Sequence, residues 1–392
     1  MANYTYRFRL YPTKEQIGFL NQETGNCRFV YNTLLSIAIK EYQDKKTPFN
    51  YYKIKKLLPL LKEQHPFLKL SNSQSLQESV KSLDKAFKNL FQKRSSFPRF
   101  KKRKSTNAVS IPQFFKIEED KLYIPKLKTP IKIRLHRKIE GKIRSITIVK
   151  KPSGRFYINV LVEKEIQRLP KQDKAIAIDM GIEHFATLST GEKIDNKRYL
   201  VKAEKRLKRL SRQLSKKEKR SNNFHKLSIR ISKLYERVVN KRDNFLHKLS
   251  KGIIDDVIIL EDLNIKGMHK SKYLSKSISD VSWGRFINFL EYKSKWYGRE
   301  IVKINRYFPS SKTCSRCGYI NKELTLSERG WVCPICHTIH DRDINAAINL
   351  LRVGLEQSEF TPVEYALVDD RSESYLKSHR MMKQEALHLN EG

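Results

Sequence analysis

Residues 4–10, YTYRFRL, alternate apolar and polar side chains as a half-buried strand does, and Pro12 ends the alternation. Thr13, with Glu15 and Gln16 behind it, then predicts a capped helix start. Helical periodicity continues to about residue 95, with breaks expected near Pro48, Pro59 and Pro66. Its last helix, 73–91, repeats Leu76, Val80, Leu83, Phe87 and Leu90 at three- and four-residue spacing. From Ala108 to Glu165 the period falls to two, through IPQFFKI, KLYIP, IKIRL, IRSITIVKK and RFYINVLVE, with Pro152-Ser153-Gly154 as a hairpin turn.

A second pattern starts near Lys171. AIAIDMG reads as a buried strand with FATLSTG as its antiparallel neighbour, and residues 201–250 read as two helices. One carries Leu207, Leu210 and Leu214, the other Leu227, Ile231, Leu234 and Val238, and Ser221-Asn222-Asn223 separates them. Then come the buried strand DVIILED, a helix over 284–298, a strand at 301–304 and a final helix, DINAAINLL. Alternating strands and helices predict an α/β domain.

The resulting plan is multi-domain α/β. Residues 1–12 and 96–168 form a β-rich domain, 13–95 a helical insertion, 169–309 with 341–353 the α/β domain, 310–340 a cysteine module and 354–392 a flexible acidic tail with a short helix near 381–389. Residues 266–283, rich in Lys and Ser, read as a surface loop or a lid over a site.

Charge narrows the partners. Lys and Arg number 80 against 41 Asp and Glu, a net +39 that implies a polyanion, foremost nucleic acid. Residues 201–250 alone hold 17 basic and 4 acidic side chains, a surplus of +13. Lys205, Arg206, Arg209 and Arg212 there, with Arg99, Lys101, Lys102 and Arg103 of the FPRFKKRK connector, are candidate phosphate contacts. Tyr51, Tyr52, Phe97 and Phe100 could stack on bases or belong to a core. No apolar run reaches membrane-span length and MANYTYRFRLYP lacks the apolar core of a secretory leader, so a cytoplasmic protein without membrane partners is expected. A hydrophobic content of 39% rules out a disordered basic tail.

Two constellations carry chemistry. Cys314, Cys317, Cys333 and Cys336 form CxxC-x15-CxxC, a spacing suited to one tetrahedral, structural Zn²⁺. A closed four-cysteine site leaves His337 and His340 no vacancy, and Cys27 reads as core. Asp179 and Glu261 end buried strands and Asp343 begins the last helix. Side by side, with the helix packed across them, these strands would bring three carboxylates together as a two-Mg²⁺ phosphodiesterase site requires. Asp341, a candidate cap, and Asp262, on the opposite face from Glu261, compete for the role.

The order IDMGIEHFATLSTG, VIILEDLNIKGM, SSKTCSRCG with CPIC, and DRDINAAINLL resembles the TnpB proteins of insertion sequences, compact relatives of type V CRISPR nucleases. YRFRLYPTKEQ, LQESVKSLDKAF, FPRFKKRK, EFTPVEYAL and MKQEA are similar as well, so the likeness spans nearly the whole chain. It implies a RuvC-type, RNase H-like nuclease domain with an inserted zinc ribbon, a wedge-like β-rich domain and a helical recognition insertion. The family's catalytic acids fall on Asp179, Glu261 and Asp343, the last chosen over Asp341 by the D-x-N-A-A match. The implied activity is Mg²⁺-dependent, RNA-guided cleavage of double-stranded DNA beside a short motif, associated with insertion-sequence maintenance. The guide would derive from the transposon end, with one protein per RNA. Ser73 and Gln77, one turn apart, are candidates to read the motif duplex. The rivals are a nuclease-inactive RNA-guided repressor, a transposase acting directly on transposon ends, and a zinc-ribbon RNA-binding structural protein, which would leave the buried acids without a reason.

Overall fold

The computed structural model describes residues 1–46, 48–103, 107–172, 174–255, 257–271, 273–325 and 327–358. The expected acidic tail and its helix near 381–389 lie outside them. The chain forms two compact units, one of residues 1–165 with 217–233, the other of 166–216 with the chain from 234 onward.

In the first unit, β1 (Ala2–Tyr11) leads into helix α1 (Lys14–Lys45), whose start is a capping box between Thr13 and Gln16. Helices α2 (Tyr51–Gln64) and α3 (Ser73–Phe91) follow. Pro59 sits inside α2, so the expected break there does not occur. Lys55, whose carbonyl loses its partner to the proline, is exposed to water, while Ile54, Leu58 and Leu61 hold the other face. The strands are β2 (Asn107–Ile111), β3 (Lys116–Glu118), β4 (Lys121–Tyr123), β5 (Ile131–Arg134), β6 (Lys142–Lys150) and β7 (Phe156–Lys164). They join β1 in one antiparallel sheet, ordered β2-β6-β7-β1-β5-β4-β3. The two edge strands, β2 and β3, are consecutive in sequence. The chain from Ile111 to Lys116 spans at most about 17 Å, so the sheet must roll into a near-closed barrel. Phe8, Ile146, Ile158 and Val160 fill its interior, and a separate helical core packs Val30, Leu34 and Leu35 with Leu76, Val80 and Leu83.

The second unit is built on strands β8 (Ala175–Asp179), β9 (His184–Leu188), β10 (Lys193–Asp195), β11 (Val257–Glu261) and β12 (Glu300–Ile304), ordered β10-β9-β8-β11-β12. β8, β11 and β12 run parallel, and β9 and β10 antiparallel. Between β10 and β11 the chain forms helices α4 (Tyr199–Ser215) and α5 (Asn222–Gly252). After β11 come α6 (Ile265–Met268), α7 (Ser275–Val281) and α8 (Trp283–Tyr297). A two-stranded ribbon of β13 (Gly330–Val332) and β14 (Ile339–Asp341) precedes α9 (Arg342–Gln357).

Both faces of this sheet are covered, which is why its central strands read as unbroken apolar runs. Leu350, Leu351 and Leu355 of α9 pack on Ala177, Val257, Ile259 and Ile304. Ile178, Ile258 and Leu260 meet Leu246, Phe286 and Leu290 on the other face. A Cβ on Gly354 would lie 2.5 Å from the Ile259 side chain, so α9 approaches the sheet closer there than any other residue permits. The last helix therefore extends past Gly354, the expected start of the tail, because Leu355 completes the core.

Residues 266–283 differ from the loop expected. They hold α6 and α7, and Ile278, Val281 and Trp283 are buried in the main core. Asp280 explains the anchoring. Helix α4 begins at a left-handed Arg198 with no side-chain cap of its own, and Asp280 accepts from the backbone N–H groups of Leu200 (3.0 Å) and Val201 (3.4 Å) instead. The guanidinium of Arg242, 2.9 Å away, balances its buried charge.

Candidate active site and zinc ribbon

Adjacent parallel strands in register, Ile178 beside Leu260, bring Asp179 and Glu261 to the same end of the sheet. Strand alternation puts Asp179 and Glu261 on the side of Ala177 and Ile259, the face that α9 covers. Asp343 lies in the first turn of α9. Asp179 feels both other acids: burial first, then the charges of Asp343 and Glu261, push it up to about 7, against the opposing pull of Arg342. Glu261 is also raised, by burial and by Asp262.

The competitors have other work. Asp341 caps α9 by accepting from the N–H groups of Asp343 and Ile344, both 3.2 Å, and pairs with Lys193 at 2.8 Å. Asp262 turns away to Arg306 at 2.6 Å. A further cation escaped the sequence reading: Arg329, just before β13, lies 3.1 Å from Glu183 and 3.6 Å from Asp343. Only the ribbon register, Gly330 opposite Asp341, could have signalled it.

The raised Asp179 has a consequence for stability. The folded protein keeps a proton that the unfolded chain gives up near the usual carboxylate pKa. The carboxyl's contribution is thus fully present below about 4 and is lost as pH rises toward 7. At its ceiling this costs ~4 kcal/mol, roughly 1.4 per pH unit. Asp179→Asn should therefore raise the melting temperature in EDTA at pH 8 and leave it nearly unchanged at pH 4.

The four cysteines form the tighter site. All four sulfurs lie within 4.8 Å of one another, the only such group of three or more His, Cys, Asp or Glu among the described residues. Cys314–Cys336 and Cys317–Cys333 are each 3.5 Å apart, against about 3.8 Å between sulfurs of a tetrahedron with Zn–S bonds of about 2.3 Å. Burial pushes the Cys314 thiol up to about 12, so a cation is what would hold it as thiolate at neutral pH. His340 is outside the four-sulfur group; its Nε2 is 3.0 Å from the Cys314 sulfur, and burial pushes it down to about 4, which leaves a neutral ring. His337 is exposed, and Cys27 is core, its thiol 3.4 Å from the Ser75 carbonyl.

The first knuckle also grips α9. Asn345 accepts from the Ser315 N–H at 3.0 Å and donates to the Thr313 carbonyl at 2.7 Å; Asn349 donates to the Ser310 carbonyl at 2.8 Å. The ribbon thereby fixes the helix turn that carries Asp343.

The basic candidates divide. Lys205, Arg206, Arg209 and Arg212 are exposed along α4, opposite buried Leu207 and Leu210, and Arg99, Lys102 and Arg103 are exposed in the connector. Lys101 is different: its backbone is held on both sides by the Asn32 amide, and its ammonium sits 3.8 Å from the Tyr31 ring centre. Ser73 and Gln77 are exposed on one face of α3, with Ser73 bonded to Lys62 at 3.0 Å. Tyr51 packs against the helical core, whereas Tyr52, Phe97 and Phe100 are exposed.

Three family models match the chain: a helix-turn-helix domain of IS605 OrfB over residues 1–47, a "Probable transposase" of the same group over 157–272, and the Cas12f1-like TNB domain over 283–350. Residues 1–46 here fold as β1 and one long helix rather than two helices about a turn. A protein of Streptomyces pristinaespiralis named "Putative RNA-guided DNA endonuclease" is 36% identical over 361 residues, 90% of each chain. The chain belongs to the TnpB family. "Putative RNA-guided DNA endonuclease InsQ" of Escherichia coli K12 is 32% identical, covering 89% of this TnpB chain and 92% of its own. A TnpB-like protein of Methanocaldococcus jannaschii is 28% identical over 65% of this chain and 98% of its own. A solved Cas12f1–sgRNA–target DNA complex matches 90% of this chain and 99% of that one at 18% identity, with a TM-score of 0.35.

Proposed function

We propose that this TnpB protein is an RNA-guided DNA endonuclease whose second unit is a RuvC-type, RNase H-like nuclease. The observation that carries the reading is the electrostatic meeting of Asp179, Glu261 and Asp343 at one end of two adjoining parallel strands. Half-buried carboxylates gathered without a full set of counter-charges form a donor set suited to divalent cations. When bound, two Mg²⁺ ions would activate water and stabilise the leaving 3′-oxygen. Asp179 and Glu261 hold the site from the sheet, Asp343 closes it from α9, and Arg329 is near enough to neutralise a phosphate drawn toward Asp343.

The four cysteines hold one structural Zn²⁺. The barrel and the three helices of the first unit are the wedge and recognition parts. With the exposed bases of α4 and the connector, they grip one guide RNA derived from the transposon end and the target duplex beside its short motif. Support comes from relatives named RNA-guided DNA endonucleases that align along nearly the whole chain. Sequencing the RNA that co-purifies with the protein, then supplying its target with Mg²⁺, tests this. Guided cleavage is expected, and guided binding without cleavage would instead favour a repressor.

A further inference from the structure

Phe114 stands apart from the other phenylalanines. It lies between β2 and β3, the two edges of the rolled barrel, at φ +60°, a backbone region that aromatic residues rarely adopt. Its ring is 80% exposed, more than any other phenylalanine among the described residues. Phe115, the next residue, turns inward onto the barrel core, so the turn itself is anchored. Gln113 on its other side accepts from the Gln74 amide at 3.1 Å, tying the turn to the first turn of α3.

The surroundings are basic. Lys62 donates to Ser73 in that same helical turn, and Lys126 donates to the Lys69 carbonyl. Lys62 is pulled down by burial and by the charge of Lys126, so the two ammonium groups are close enough to repel. A bound phosphate would relieve that repulsion. Far more exposed than Tyr123 (39%) on the neighbouring strand or Phe67 (40%), and held on a strained turn beside lysines, this ring differs from a stacking track, which needs several rings in a row. It has the form of an apolar wedge that enters a duplex at one base step.

We propose that Phe114 is a strand-separation wedge, stacking on the base pair at which target DNA opens next to the recognition motif, with Lys62 and Lys126 holding the backbone. This rests on the RNA-guided reading above and adds to it the residue that starts opening. The strained turn presents the ring ready-made, so its ordering is not charged to binding.

The test uses RNA-loaded protein and a duplex target with 2-aminopurine at the first base pair beside the motif. Phe114→Ala should slow opening at least tenfold on the duplex and match wild type on a target already melted there. Phe114→Trp should restore opening. Phe114→Gly should open as slowly as Phe114→Ala yet melt at a higher temperature, because glycine tolerates the left-handed backbone. Normal opening by Phe114→Ala, an equal defect on the melted target, or a loss confined to RNA affinity would each overturn the wedge. Wild-type protein that opens no guided target would defeat the function and the wedge together.

Discussion

Asp179→Ala and Glu261→Ala proteins should bind guide RNA and target DNA as wild type does and cut at least ~10³-fold more slowly. Removing a carboxylate that anchors a metal forfeits several kcal/mol of charge stabilisation, and ~4 kcal/mol is a thousandfold in rate. Folding should not suffer. Both groups are raised by burial and by neighbouring acids, so their charges burden the metal-free fold. Asp341→Ala separates position from chemistry: it removes the cap of α9 and the Lys193 pair, costing about 1 kcal/mol of stability, and should slow cleavage far less. Guided cleavage kinetics with parallel filter binding would check all three. Full activity of the Asp179 or Glu261 variant would remove those acids from the site.

Cys314→Ser or zinc chelation should abolish cleavage as well, though the ribbon sulfurs are not the proposed nuclease ligands. Structural zinc sites are worth about 10 kcal/mol or more in small domains. Among the described residues the ribbon's own core is Leu324 and Trp331 around the cysteines, too little to replace that. Loss of the first knuckle frees Asn345 and Asn349 from their carbonyl partners and releases the turn of α9 that carries Asp343. The expected readout is one equivalent of zinc per chain by metal analysis, lost in the variant together with cleavage. A zinc-free protein that still cuts would show that the ribbon does not position α9.

Most elements were legible from period alone. The alternation of YTYRFRL, the spacing Leu76-Val80-Leu83-Phe87 and the apolar runs of AIAID and VIILE all report one dominant neighbour, the core. The acids stood out as candidates because a carboxylate at the end of such a run is costly unless it is hydrogen-bonded or metal-bound. What failed to show was context from distant residues. Pro59 reads as a helix breaker until the solvent at Lys55 is known, and Ile278 and Val281 are too few to outweigh the Lys and Ser around them. Asp280 caps a helix that starts 81 residues earlier, and Arg329 reaches Asp343 through a hairpin register. Lys101, one more base in FPRFKKRK by composition, is held against Tyr31.

Under the proposed function this chain cuts DNA where its RNA directs, using the acids at the ends of β8 and β11 and at the start of α9. The most direct measurement replaces the targeting segment of the co-purified RNA and assays two plasmids, each matching one guide, with Mg²⁺ and with EDTA. Linearisation should follow the guide from one plasmid to the other, require Mg²⁺ and vanish in Asp179→Ala. Cutting that ignores the guide, or that persists in EDTA or in the variant, would contradict it.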